Sequence, residues 1–186
     1  QYLLGHQTRD KLENFRAFGG AQSYPSRTKD TDDVDFSTGS VGLGPAMAIF
    51  TSMLQDYLRR HMDSVAAKRP GRMIAVVGDA EMDEGNMYEA LWEGWKHGLR
   101  NCWWIIDYNR QSLDGVVSDH LFRLIDRLFR TTGWRVITVK YGKRMMHAFK
   151  KPGGKLLKKW INECPNELYS ALTFRGGAAW RDRINA

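Results

Sequence analysis

The sequence predicts an α/β fold built on a doubly wound, mostly parallel sheet. Three observations carry the prediction. Two short, continuous apolar runs, Met73-Ile74-Ala75-Val76-Val77 and Cys102 to Ile106, read as strands buried on both faces, hence as members of a parallel sheet. A stretch of helical periodicity, Asn86 to His97, lies between them. Each strand then turns abruptly polar, through Gly78-Asp79 after the first and Asp107-Tyr108-Asn109 after the second. In such sheets, ligands bind beyond the carboxyl ends of the strands.

Taken in order, the chain opens with a short helix from Asp10 to Arg16. Thr8 is placed to accept from its first amides, and Leu12 and Phe15 share one face. A polar segment of about residues 19–39 follows, with Gly19-Gly20, Pro25 and Lys29-Asp30-Thr31-Asp32-Asp33; a loop of that length is expected to be mobile. Its aspartates lack the glycine and closing glutamate of a calcium hand, so a solvated loop is the expectation. Gly42-Leu43-Gly44-Pro45 opens a strong helix from Pro45 to about Met62, proline being suited to a first turn. After the first strand and the Asn86–His97 helix, Gly98 is well placed as a stop. Beyond the second strand come an amphipathic helix, His120 to Arg130, and a third strand, Trp134 to Val139. Helices are expected at about 143–149, 154–161 and 166–172, and Gly176-Gly177-Ala178-Ala179 reads as a turn or the start of a tail.

Composition excludes several classes. The chain has 186 residues, 42% hydrophobic and 26% charged, which are globular values rather than those of a disordered chain. Two cysteines, Cys102 and Cys164, are too few for a disulfide framework or a cysteine metal cluster, so a reducing, cytoplasmic setting is expected. No apolar run reaches membrane-span length and no signal peptide is visible, so no membrane partner is expected. The first residue is Gln1, which raises processing or a fragment. The net charge of +7 is concentrated late, between Lys140 and Lys159. Nucleic-acid binding is not expected from that pattern; solvated helix faces, an anionic ligand or an acidic partner are. Met145-Met146 reads as helix packing, Cys102 as structural, and the tryptophans at 92, 95, 103 and 104 as core or as a subunit interface.

Chemistry concentrates at the two strand ends. Neighbouring parallel strands would bring Asp79 and Asn109 to one edge of the sheet. A carboxylate, a carboxamide oxygen and the main-chain carbonyl of Gln111 are hard oxygen donors, the kind that suits magnesium while leaving positions for phosphate oxygens. The turn Gly78 to Ala80 leads towards a helix whose first amides would face an anion. Alone, Asp79 could simply cap that helix; the matching Asn109 thirty residues on favours a metal–diphosphate site.

The stretch GDAEMDEGNMYEALWEGWKHGLRNCWWIIDYNRQSLDG resembles the thiamine-diphosphate motif, which begins Gly-Asp-Gly and ends in Asn about thirty residues later. It is most similar to the homodimeric pyruvate dehydrogenase decarboxylating components of the transketolase-like superfamily. Further resemblance lies in Leu12-Glu13-Asn14-Phe15-Arg16, Ser23-Tyr24-Pro25, Ser40-Val41-Gly42-Leu43-Gly44-Pro45 and Gly133-Trp134-Arg135-Val136-Ile137, in order and over nearly the whole chain.

The resemblance implies a thiamine-diphosphate-binding fold with thiamine diphosphate and Mg2+ as cofactors. Asp79, Asn109 and the Gln111 carbonyl would hold the metal. Gly78, Ala80 and Glu81 would line the diphosphate, Val41 and Gly42 would lie near the aminopyrimidine, and Leu113 near the middle of the cofactor. It also implies decarboxylation of a 2-oxo acid, pyruvate, with acyl transfer to a lipoyl acyltransferase partner in a multienzyme complex, and a homodimer. Ala80 replaces the family's glycine, which is tolerable if the backbone stays at negative φ, and Asp107 replaces an asparagine. The pyrimidine-side domain and a His-x-x-Pro segment are not seen, and His6, His61, His97, His120 and His147 match no catalytic place. Residues 1–186 would then be the diphosphate-binding domain of a larger enzyme, truncated at both ends and inactive alone, with no catalytic residue assigned. A transketolase moving two-carbon ketol units, and a noncatalytic basic binding module, are the alternatives.

Overall fold

The computed structural model describes residues 1–31, 33–66, 68–69, 71–109 and 120–185. They divide into two compact units, Gln1–Val77 with Glu84–Ile105, and Gly78–Asp83 with Ile106–Ala186.

In the first unit, helix α1 spans Arg9–Glu13 and starts as expected, with Thr8 Oγ1 accepting from the Lys11 amide at 3.4 Å. Residues 19–31 and 33–39 hold neither helix nor strand. This segment is shaped locally: Asp30 accepts from the Ser26 amide and, at 2.9 Å, from Gln22 Nε2. Helix α2 spans Leu43–His61 and carries Arg59, Arg60 and His61 in its last turn, where cations suit the helix dipole. A four-residue helix that the pattern did not predict, α3 (Asp63–Ala66), follows it. Strand β1 runs Met73–Gly78, helix α4 Gly85–Lys96 and strand β2 Cys102–Asp107. β1 and β2 are hydrogen-bonded neighbours in a parallel sheet, the pair made possible by the crossover through α4.

The core of this unit lies where α2 packs against α4. Ile49, Met87, Ala90 and Leu91 are buried there, each large side chain contributing about 1.5–3 kcal/mol. Asn101 joins the helix to the sheet. Its Nδ2 donates to the Ser52 carbonyl and to Gln55 Oε1, both at 3.2 Å, and its own carbonyl accepts from the Met73 amide at 2.9 Å. Cys102 is buried, and burial pushes its thiol pKa up, which fits a packing role.

The expectation that both strands are buried on both faces is corrected. Met73, Ala75 and Val77 are buried and alternate with the exposed Ile74 and Val76; in β2, Trp103 and Ile105 are half exposed and alternate with the buried Cys102 and the half-buried Trp104 and Ile106. Period-two geometry sends alternate side chains to opposite faces. Arg72 lies over the exposed Trp103 ring at 4.1 Å, a cation–π contact that covers part of the open face.

The second unit holds a five-residue 3-10 turn, Asp79–Asp83, and helices α5 (His120–Thr131), α6 (Lys143–Ala148), α7 (Gly154–Glu163), α8 (Asn166–Arg175) and α9 (Gly177–Asn185). Ile125 and Phe129 form the buried side of α5, and Trp134 meets Phe129 edge-on at 5.6 Å. The third strand expected at Trp134–Val139 is not formed among the described residues. A strand needs an edge to pair with; here Ile137 and Val139 are exposed, and the segment is anchored at its end, where Lys140 and Tyr141 both reach Asn162 Oδ1, at 3.2 and 2.6 Å.

The turn or tail expected at 176–179 is a helix instead. Gly176, at φ 83°, makes the break, and α9 then docks through Trp180, whose ring meets Tyr169 at 5.3 Å and Trp160 at 5.8 Å. No helix among the described residues is long and apolar enough to cross a membrane.

Candidate functional site

The site begins at the end of β1. Gly78 closes the strand, and the chain enters the 3-10 turn rather than passing straight into an α-helix. α4 starts only at Gly85, so the amides beside the strand tip belong to the turn and not, as expected, to an α-helix. Within the turn, Asp79 and Met82 are each 2% exposed. The Glu81 carboxylate folds back and accepts from the Gly78 amide at 3.1 Å, which fixes the turn at its root. Arg16 is the one non-glycine residue with positive φ among those described. Ala80 therefore meets the condition under which its methyl is tolerated. A Cβ built on Gly78 would meet nothing within 4 Å, so there is open space beside the buried Asp79.

Asn109 lies two residues beyond β2 and is exposed. Because β1 and β2 run parallel as neighbours, the residue after one and the residue two after the other fall at the same sheet edge. Tyr108, just before Asn109, packs edge-on against Phe122 of α5 at 5.4 Å, which holds the strand exit. Gln111 and Leu113 lie outside the described residues. Asp107 is the exposed last residue of β2.

These observations fit a magnesium diphosphate. The donor set at the edge, one carboxylate and one amide oxygen, is all hard oxygen. A carboxylate as buried as Asp79 needs donors or a cation to offset its desolvation. The space at Gly78 admits an approaching anion. No group of three or more His, Cys, Asp and Glu forms a separate metal cluster among the described residues.

Val41 and Gly42 belong to the first unit. Gly42 is the N-cap of α2 in a left-handed conformation, φ 81°. A Cβ there would stand 2.5 Å from Asn86 Oδ1 and 2.9 Å from Glu84 Cβ. Only glycine fits, on both conformational and steric grounds. Asn86 Oδ1 is buried and accepts no hydrogen bond, which marks it as a candidate site residue that the sequence pattern did not single out. No local signal could have found it, since the contact joins residues far apart in sequence.

The α/β fold with its parallel strand pair is consistent with a thiamine-diphosphate-binding domain. Comparison bears this out: residues 1–151 match the family described as transketolase, thiamine diphosphate binding domain, and the chain belongs to that family. Among similar proteins, the pyruvate dehydrogenase E1 component of Cupriavidus necator is 33% identical over 188 residues, covering 98% of this chain and 21% of the relative. The E1 components of Escherichia coli K12 and Mycolicibacterium smegmatis are 30% and 31% identical, again over 98% of this chain and 21% and 20% of theirs. The chain thus spans about a fifth of the length of these relatives.

Proposed function

We propose that this chain is the diphosphate-binding half of a thiamine-diphosphate- and Mg2+-dependent enzyme that oxidatively decarboxylates pyruvate and passes the acyl group to a lipoyl acyltransferase. The observation that carries the reading is the buried Asp79 and the Asn109 amide at neighbouring ends of β1 and β2. When bound, thiamine diphosphate supplies an acidic ring carbon that can add to a 2-oxo acid and accept the electrons left when carbon dioxide departs. The residues of this chain bind and orient. Asp79 would contribute the charge, and Asn109 and the Gln111 carbonyl neutral oxygens, to the magnesium. Gly78, Ala80 and Glu81 would line the diphosphate, with Glu81 holding the Gly78 amide in place. Val41 and Gly42 would border the aminopyrimidine, and Leu113 the middle of the cofactor. No side chain here is assigned the proton transfers. The proposal further takes residues 1–186 as one domain of a larger cytoplasmic homodimer.

Calorimetric titration of thiamine diphosphate, with and without Mg2+, tests the site. Binding should require the metal and should fall at least tenfold in Asp79→Ala, a charge-assisted contact being worth about 1.5–3 kcal/mol. Metal-independent binding that Asp79→Ala leaves unchanged would contradict the assignment. The matched family's description favours a second reading, ketol transfer between sugar phosphates. A full-length version assayed with pyruvate and an artificial electron acceptor, then with a ketose phosphate, separates the two.

A further inference from the structure

Helix α5 carries a groove that the cofactor reading does not use. The groove has a volume of about 480 Å³ and is lined by Phe122, Arg123, Asp126, Arg127, Arg130 and Thr131. That volume falls within the range of small-molecule sites. All six residues belong to the second unit, and none is among those assigned to thiamine diphosphate.

The helix is held from its other side. Ile125 and Phe129 are buried, and Trp134 closes edge-on against Phe129 at 5.6 Å. The spacing of Arg123, Arg127 and Arg130, four residues and then three, keeps them on one helix face. All three are exposed. A helix anchored through its apolar stripe therefore presents three guanidinium groups along one concave surface.

Charge in the groove is not balanced. Asp126 is the sole carboxylate in the sequence of α5. Arg130 takes both of its oxygens, through Nε at 2.9 Å and Nη2 at 3.1 Å. That pair is neutral as a unit. Arg123 and Arg127 make no ion pair among the described residues. Like charges at this spacing oppose the helix that carries them, so an anion seated between them would relieve a repulsion as well as gain contacts. A further cation stands at the Phe122 end, where Lys140 Nζ lies 5.3 Å from the ring centroid.

The form of the cations narrows the ligand. Guanidinium groups are rigid forks that bind phosphoryl oxygens in pairs. Arg123 and Arg127 stand one turn apart, about 6 Å between Cβ atoms, so one molecule with two phosphoryl groups can engage both. A phosphoryl group offers three acceptor oxygens and about −1.5 to −2 charge, which matches two unpaired forks better than a carboxylate does. The groove runs for about 13 Å along a single helix, a length suited to a small molecule rather than to a duplex backbone.

We propose that the α5 groove binds a small anion bearing two adjacent phosphoryl groups, gripped by Arg123 and Arg127. The test is calorimetric titration of inorganic pyrophosphate into the whole chain, without divalent metal and at moderate salt. Succinate and a short DNA duplex serve as parallel probes. Pyrophosphate should bind at one site and more tightly than either. Combining Arg123→Gln with Arg127→Gln should weaken it about tenfold or more, two charge-assisted contacts being lost, and glutamine keeps the helix propensity of these positions. Lys155→Gln with Lys159→Gln, which removes the same charge from α7, should leave binding unchanged. Asp79→Ala should leave it unchanged too, whereas a pyrophosphate held at the strand edge would respond. In the unmodified chain, the Nε–H NMR signals of Arg123 and Arg127 should shift over the same titration. Absence of pyrophosphate binding, tighter binding of succinate or DNA, silent arginine signals, indifference to the double arginine variant, or equal loss in the lysine or Asp79 variants overturns the proposal.

Discussion

Two glycines, Gly42 and Gly78, look alike in sequence and differ in what requires them. Gly42 sits at φ 81° with Asn86 Oδ1 2.5 Å from where its Cβ would be. Gly78 has an ordinary backbone and open space on that side. The first is demanded by the fold itself. The second is not, and its demand, in the functional reading, comes from an anion approaching the strand tip. A family pattern records both as glycine; only packing separates stability from ligand accommodation.

The largest expected effect is on stability. Gly42→Ala should cost roughly 2–5 kcal/mol, combining left-handed strain of about 1–2 with overpacking of about 1–3, read as a fall in urea midpoint whether or not cofactor is present. Next, Gly78→Ala should leave the urea midpoint within about 0.5 kcal/mol while weakening thiamine diphosphate about tenfold, the loss of one charge-assisted contact. If instead Gly78→Ala unfolds the chain, the contrast between the glycines fails. A smaller effect tests the Gly42 contact directly: Asn86→Ala in the Gly42→Ala background should return about 1 kcal/mol, a coupling of the size expected for touching residues.

The smallest effect lies away from both. The Arg130 guanidinium, hydrogen-bonded to Asp126, holds that carboxyl below the usual aspartate range. A depressed acid stabilises fully above its unfolded pKa and loses that contribution as pH falls through the folded one. NMR titration of Asp126 should therefore show a midpoint below that of a free aspartate, returning to the ordinary value in Arg130→Ala.

How far the fold could be read ahead followed the range of the interactions involved. β1, α4 and β2 were legible because apolar runs, helical period and polar strand ends are local patterns. The open face carrying Val76 and Ile105 was not, because an apolar run reports what prefers burial and not what covers it. The segment at Trp134–Val139 has a strand's composition, but pairing needs a second edge, which no local pattern supplies. α9 was hidden by Gly176-Gly177, since one glycine sufficed for the break and Trp180 stabilises the helix through Tyr169 and Trp160. The Gly42–Asn86 contact and the fold-back of Glu81 onto Gly78 depend on tertiary approach and on turn geometry, and neither leaves a mark in the pattern of residues.

The most direct test of the central claim is Mn2+ electron paramagnetic resonance, with the manganese standing in for magnesium. In the presence of thiamine diphosphate, the unmodified chain should convert the free-ion spectrum to a bound one, and both Asp79→Ala and Asn109→Ala should restore the free signal while remaining folded by circular dichroism. A bound spectrum that persists in both folded variants would place the ion elsewhere and contradict the account.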